Sequence, residues 1–177
     1  TYNNDEVNFE FKYPPEWILE DFKSSDLALN LTLNSDDLAV RQEYRGGDWP
    51  VPVYQNGGSL EVVVDTDPYY QSFDHLKNAE HKKYNYPYIV NLENLGNVLY
   101  KTTSYPGVYD ESKITMIREN ISKNGGPIQL TFTLQFAGDE KDKYQELYNQ
   151  ILSTFKFIEI CGDCPVFSQP PPDWCKN

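Results

Sequence analysis

The sequence predicts an α+β protein, a mainly antiparallel β-sheet packed with two helices. Three observations carry this reading. Apolar and polar residues alternate with period 2 along most of the chain, and helical spacing breaks in at two places. The resulting order (strands, helix, strands, helix, strand) lacks the alternating βαβ units that a parallel sheet requires. Strict alternation also implies a sheet with one packed and one polar face.

The elements follow in order. Phe9, Phe11 and Tyr13 alternate with Asn8, Glu10 and Lys12, and Leu27, Leu29, Leu31 and Leu33 with Ala28, Asn30 and Thr32. Leu60, Val62 and Val64 repeat the pattern, as do Leu130, Phe132, Leu134 and Phe136 against Thr131, Thr133 and Gln135. Shorter strands are expected over 38–44, 88–92, 98–103 and 113–117. A first helix is expected over 68–84, with Asp67 as cap, Pro68 at the first helical position, and Phe73, Leu76 and Ala79 facing inward. A second is expected over 140–155. There Tyr144, Leu147, Tyr148, Ile151, Leu152 and Phe155 form one apolar stripe, and Asp139 is the expected N-cap. A last strand follows over 155–160. Glycine-rich breakers place loops at 45–52, at 55–59 with Asn56-Gly57-Gly58, at 105–110 and at 122–127. Beyond Ile160 the composition turns to cysteine and proline, which divides the chain into a domain over 1–160 and a tail over 161–177.

Composition excludes several functional classes. Among 177 residues, 27 are acidic and 15 are Lys or Arg, a formal net charge of −12. Nucleic acid and anionic membrane surfaces attract the opposite sign. No stretch reaches the roughly 18–20 apolar residues that span a bilayer, and no N-terminal targeting segment is visible. At 39% hydrophobic and 15% aromatic, the chain has the core formers of a folded domain.

The opening Phe9-Glu10-Phe11-Lys12-Tyr13-Pro14-Pro15-Glu16-Trp17 resembles the start of PsbP-like domains, an alternating strand followed by Tyr-Pro and a Trp. The stretch from Tyr148 to Phe157 resembles that family's final helix running into its last strand. The resemblance covers roughly residues 7–160. It implies the PsbP/Mog1 type of α/β/α sandwich, a binding or assembly role, and no set of catalytic residues. On physical grounds, proline ends the first strand and Trp17 is large enough to plug the sheet edge.

Chemistry-bearing patterns are few. Cys161, Cys164 and Cys175 are the only cysteines and all lie in the tail. They are read as disulfide formers, with free thiols or a metal site as alternatives. Structural zinc needs four ligands, and His75 and His81, six apart on one helix, do not face each other. The proline after Cys164 argues against a redox pair at a helix start. The tail resembles the first part of a small cysteine-cluster module of exported proteins, whose odd cysteine would find its partner beyond Asn177. This implies an oxidising, extracytoplasmic setting: secreted, at the cell surface, or lipid-anchored through a removed N-terminal segment. Asn30 and Asn120 open Asn-x-Ser/Thr triplets and are glycosylation candidates.

The acidic groups Asp36-Asp37, Asp65/Asp67 and Asp139-Glu140/Asp142 match no EF-hand spacing, and no nucleophile elbow or phosphate loop occurs. No catalytic residue, metal or cofactor is assigned. Tyrosine is abundant, at 14 residues. Trp49, Tyr69, Tyr70, Tyr86 and Tyr88 are the candidate contact residues, since aromatic rings in or beside loops anchor partners or stack on sugars. The expected function is a non-catalytic module that contacts a protein partner at the cell envelope. The alternatives are a carbohydrate-binding module using the same rings, or a structural subunit of a surface assembly.

Overall fold

The computed structural model describes residues 1–4, 9–25, 28–44, 46, 49–66, 68–83, 88–92, 95–118 and 127–158; for 21–25, 28, 81–83 and 88 it describes the backbone alone. Eleven strands and two helices form in the order β1 (Tyr2–Asn4), β2 (Phe9–Phe11), β3 (Ile18–Ser25), β4 (Ala28–Asn34), β5 (Ala39–Glu43), β6 (Val51–Asp65), α1 (Phe73–Lys83), β7 (Tyr88–Leu92), β8 (Gly96–Tyr105), β9 (Tyr109–Arg118), β10 (Ile128–Ala137), α2 (Lys141–Thr154) and β11 (Lys156–Phe157). The main sheet runs β3-β4-β6-β10-β9-β8-β7 with β5 paired to β6, and β1-β2-β11 form a small second sheet. Every described pairing is antiparallel. The protein is thus α+β and mainly antiparallel.

The alternation sets the layers. Leu31, Val62, Phe132 and Ile114 stand in one cross-strand row, and all are buried. That face receives α2, whose stripe Tyr144, Tyr148, Ile151 and Leu152 is buried against β10, β6 and β2. The small sheet completes the layer through Phe9 and Phe11. The opposite face is largely polar, and α1 covers only one corner of it, where Leu76 packs with Leu99 and Ile117. The two helices therefore lie on opposite faces of the main sheet. Trp17 is buried, with its N–H donating to the Pro14 carbonyl.

Several expectations need correction. The first helix begins at Phe73, not Pro68, because Ser72 supplies the cap: its Oγ accepts from His75 N–H and its carbonyl from Leu76 N–H. Pro68 is buried in the preceding loop. The second helix runs from Lys141 with Glu140 at the cap position, and no side chain caps it. Strands β1 and β3 carry no clean alternation and escape a reading based on it. The expected loop at 55–59 is instead the middle of the fifteen-residue β6. A glycine pair inside a strand marks a bulge or a close backbone approach as readily as a turn. Here Gly57 takes φ +88 beside the Ser35–Leu38 backbone.

Candidate functional site

β6 changes partners along its length. From Gly57 to Asp65 it pairs with β10, and from Ser59 to Asp65 with β4. From Val51 to Asn56 it pairs with β5 instead. The β5–β6 hairpin is thus a two-stranded arm that extends one end of the main sheet. Its root is fastened by Asp37, whose Oδ2 accepts from the Tyr144 hydroxyl and from Asn56 Nδ2, and by Ser35 Oγ, which accepts from Gly58 N–H at 2.9 Å.

The arm mixes polar and apolar side chains: Arg41 and Gln42 are exposed next to Val40, which pairs with Tyr54, while Val51 pairs with Glu43 and so lies on the other face. Val40 is 41% exposed and Val51 38%, while in the loop that closes the arm Tyr44 is 72% and Trp49 84% exposed. Beneath the arm lies a set of tyrosines in ring contact. Tyr54 meets Tyr109 edge-on at 5.4 Å, and Tyr109 meets Tyr105 at 4.8 Å. Tyr105 and Tyr109 face each other across the β8–β9 turn, and Tyr54 N–H donates to the Val108 carbonyl in that turn. The Tyr54 hydroxyl donates to Gln135 Oε1 at 2.9 Å. These groups surround a polar hollow of about 480 Å³, which Arg41, Asp110 and Lys141 also line. Asp110 accepts from Ser104 Oγ and from Lys141 Nζ, each at 2.5 Å.

Proton affinities follow from these contacts. Hydrogen bonds from Lys141 and Ser104 hold the Asp110 carboxyl below its usual range. Burial acts to raise Asp37, but the bonds from Tyr144 and Ser35 outweigh it and the carboxyl is lowered. Burial raises the Tyr54, Tyr109 and Tyr148 hydroxyls, and burial together with the Asp37 hydrogen bond raises Tyr144. Lowered carboxyls contribute stability that is present above the unfolded value near 4 and is lost as pH falls through the folded values. Raised tyrosines contribute stability that is complete below about 10 and is lost as pH climbs past it. Urea midpoints should therefore hold level between about pH 5 and 9 and fall on both sides. Asp37→Asn is expected to make both limbs shallower, because it removes one lowered carboxyl and also the acceptor that helps raise Tyr144.

The expected contact residues are distributed along the chain. Trp49 precedes β6, and Tyr69 and Tyr70 follow it, so the length of that strand separates them. Tyr69 and Tyr70 instead pack on each other and on His75 beside the start of α1. Tyr88 pairs with Tyr100 through the β7–β8 ladder, whereas Tyr86 lies outside the described residues, as do Asn120, Cys161, Cys164 and Cys175. Asn30 Nδ2, the atom a glycan would occupy, donates to Glu61 Oε1 at 3.1 Å. Among the described residues no group of three His, Cys, Asp or Glu is placed to hold a metal. No helix among them is long and apolar enough to cross a membrane. Sequence reasoning missed Tyr54, and it left Tyr105 and Tyr109 off the contact set although Tyr-Pro-Gly-Val-Tyr marks a hairpin turn with facing tyrosines.

No protein-family model matches the chain, and no curated protein is significantly similar to it. Among solved structures, a protein of Bacteroides thetaiotaomicron is similar at 13% identity and a TM-score of 0.46, over 90% of this chain and 48% of that one. The present chain thus spans about half of that protein. LpqN of Mycobacterium tuberculosis, described as involved in cell envelope biogenesis, is similar at 14% identity and a TM-score of 0.48, over 85% of this chain and 83% of its own. At these values neither likeness assigns a family or a function.

Proposed function

We propose that the chain is a non-catalytic binding module of PsbP/Mog1 type that works outside the cytoplasm and docks a protein partner with its arm. The observation that carries this is the exposure of Tyr44 and Trp49 in the loop that closes one hairpin. Each of these rings leaves most of its apolar area in water, where covering it by a partner would return roughly 1.5–3 kcal/mol. Tryptophan and tyrosine are the residue types that dominate binding energy when a partner covers them. The extracytoplasmic setting rests on the tail cysteines and is tested by thiol labelling and intact mass: one bridge removes two hydrogens. Three free thiols on material from the natural host would contradict it.

Docking is tested by placing a photo-cross-linking amino acid at Gly46, which the fold leaves in open space. In the natural host this position is expected to give one discrete cross-linked protein, and a cross-linker at Tyr69 is expected not to give it. No adduct at position 46, or the same adduct from both positions, would count against the arm.

A second reading is favoured by the hollow beside Tyr105 and Tyr109. An aromatic wall next to Arg41, Asp110 and Lys141 has the chemistry of a sugar subsite, with a ring to stack on and charged groups to hydrogen-bond hydroxyls. Saturable glycan binding abolished by Tyr105→Ala, with no protein cross-link from the arm, would favour that reading over the first.

A further inference from the structure

A second cavity lies away from the arm, on the α2 face of the sheet. The helix presents two adjacent stripes at i, i+4 spacing. Tyr144, Tyr148 and Leu152 face the core, while Gln145, Asn149 and Ser153 overhang the β7–β8–β9 meander. The sheet extends beyond the helix on this side, so Val90, Leu92, Val98, Ile114 and the half-buried Tyr100 form a mostly apolar floor beneath the overhang. Three strands at about 4.8 Å spacing make that floor roughly 10 Å wide. The cleft, open to solvent on one side, has a volume of about 790 Å³, within the range of roughly 300–1,000 Å³ typical of small-molecule sites.

The polar groups of the wall identify the ligand. Among the described residues no charged side chain lines the cleft. Gln145 is held in place, its Oε1 accepting from Ser112 Oγ at 2.6 Å and its Nε2 donating to Asn149 Oδ1 at 3.4 Å. Asn149 is exposed, so its Nδ2, which has no partner among the described residues, stands at the open rim of the cleft, while the Ser153 hydroxyl donates to the Gln150 carbonyl at 2.7 Å. A ligand that satisfies both surfaces has a hydrocarbon part for the floor and an uncharged oxygen-bearing head for the amide row. A carboxylate or phosphate head would find no cation here, in a chain of net charge −12.

We propose that this cleft binds the acyl chain of a neutral single-chain lipid, with its uncharged headgroup at Gln145, Asn149 and Ser153. The site is separate from the arm, and its occupancy does not depend on partner docking.

The test uses the full chain and an uncharged fluorophore, N-phenylnaphthylamine, displaced by monolauroylglycerol below its aggregation concentration. Monolauroylglycerol is expected to displace the probe, and laurate at least about tenfold less well. Asn149→Trp, which fills the cleft from an exposed helix position, is expected to weaken displacement about tenfold or more, a loss of about 1.4 kcal/mol. Ser153→Trp serves as a second blocking variant should the first fail to fold. Glu146→Trp, one position round the helix, and Trp49→Ala, on the arm, are expected to bind as the parent does. Absence of displacement in the parent chain, or parent-like displacement in both blocking variants, would overturn the site. Equal displacement by laurate would overturn the neutral headgroup.

Discussion

Replacement of Phe155 by alanine is expected to cost about 3–5 kcal/mol, a large share of the roughly 5–15 kcal/mol that holds a domain folded. Phe155 is the last residue before β11, 1% exposed, and caps α2 with its N–H on the Leu152 carbonyl. Its ring stacks on Phe9 at 5.1 Å and on Phe11 at 6.1 Å, and meets Phe132 of the main sheet edge-on at 5.1 Å. It is therefore the side chain through which helix, small sheet and main sheet share one core. Removing it opens a cavity that three elements would have to collapse to fill, and β1-β2-β11 lose their hold on β10. Phe155→Leu, which keeps most of the volume, is expected to cost markedly less. Urea denaturation followed by circular dichroism decides it: a loss under about 1 kcal/mol for Phe155→Ala would show that the two sheets are held together by something else.

Gly57→Ala is expected to be nearly as damaging, at about 2–5 kcal/mol, although it adds a single methyl group. Two costs combine. At φ +88 an L-residue is strained, and its Cβ would sit 2.5 Å from Leu38 Cα and 2.8 Å from Leu38 N, both backbone atoms with no freedom to swing aside. Gly46 separates the two costs, having φ +78 with no atom near its missing Cβ. Gly46→Ala should therefore show the conformational cost alone, about 1–2 kcal/mol. Equal losses at the two positions would mean that the close approach of β6 to the Ser35–Leu38 turn contributes nothing.

That turn also shows where sequence reasoning stopped. The apolar stripe of α2 and the alternations in β2, β4, β6 and β10 were legible because each is a local pattern enforced by one buried face, and the α+β class follows from their order. Asn56-Gly57-Gly58 reads locally as a loop, and only the distant Ser35, Leu38 and Tyr144 explain why glycine is needed inside a strand. β3, with mixed polar residues, depends on pairing to β4 rather than on any pattern of its own. The candidate surface behaves the same way. Trp49 could be singled out as a loop aromatic, but Tyr54, Tyr105 and Tyr109 converge only through the β5–β6 arm meeting the β8–β9 turn. Tyr69 and Tyr70 carried the same local signal, and the length of β6 places them elsewhere.

The central claim is that the arm is a docking surface, and its most direct measurement is the affinity of the cross-linked partner, once purified, for arm variants. Tyr44 and Trp49 make few contacts within the fold, so Tyr44→Ala and Trp49→Ala should leave the urea midpoint unchanged. Trp49→Ala is expected to weaken binding by roughly thirtyfold or more, about 2 kcal/mol, as a residue at the centre of an interface does. Tyr69→Ala is expected to bind as the parent chain. Parent-like affinity for the Tyr44→Ala/Trp49→Ala double variant, with the fold intact, would contradict the claim.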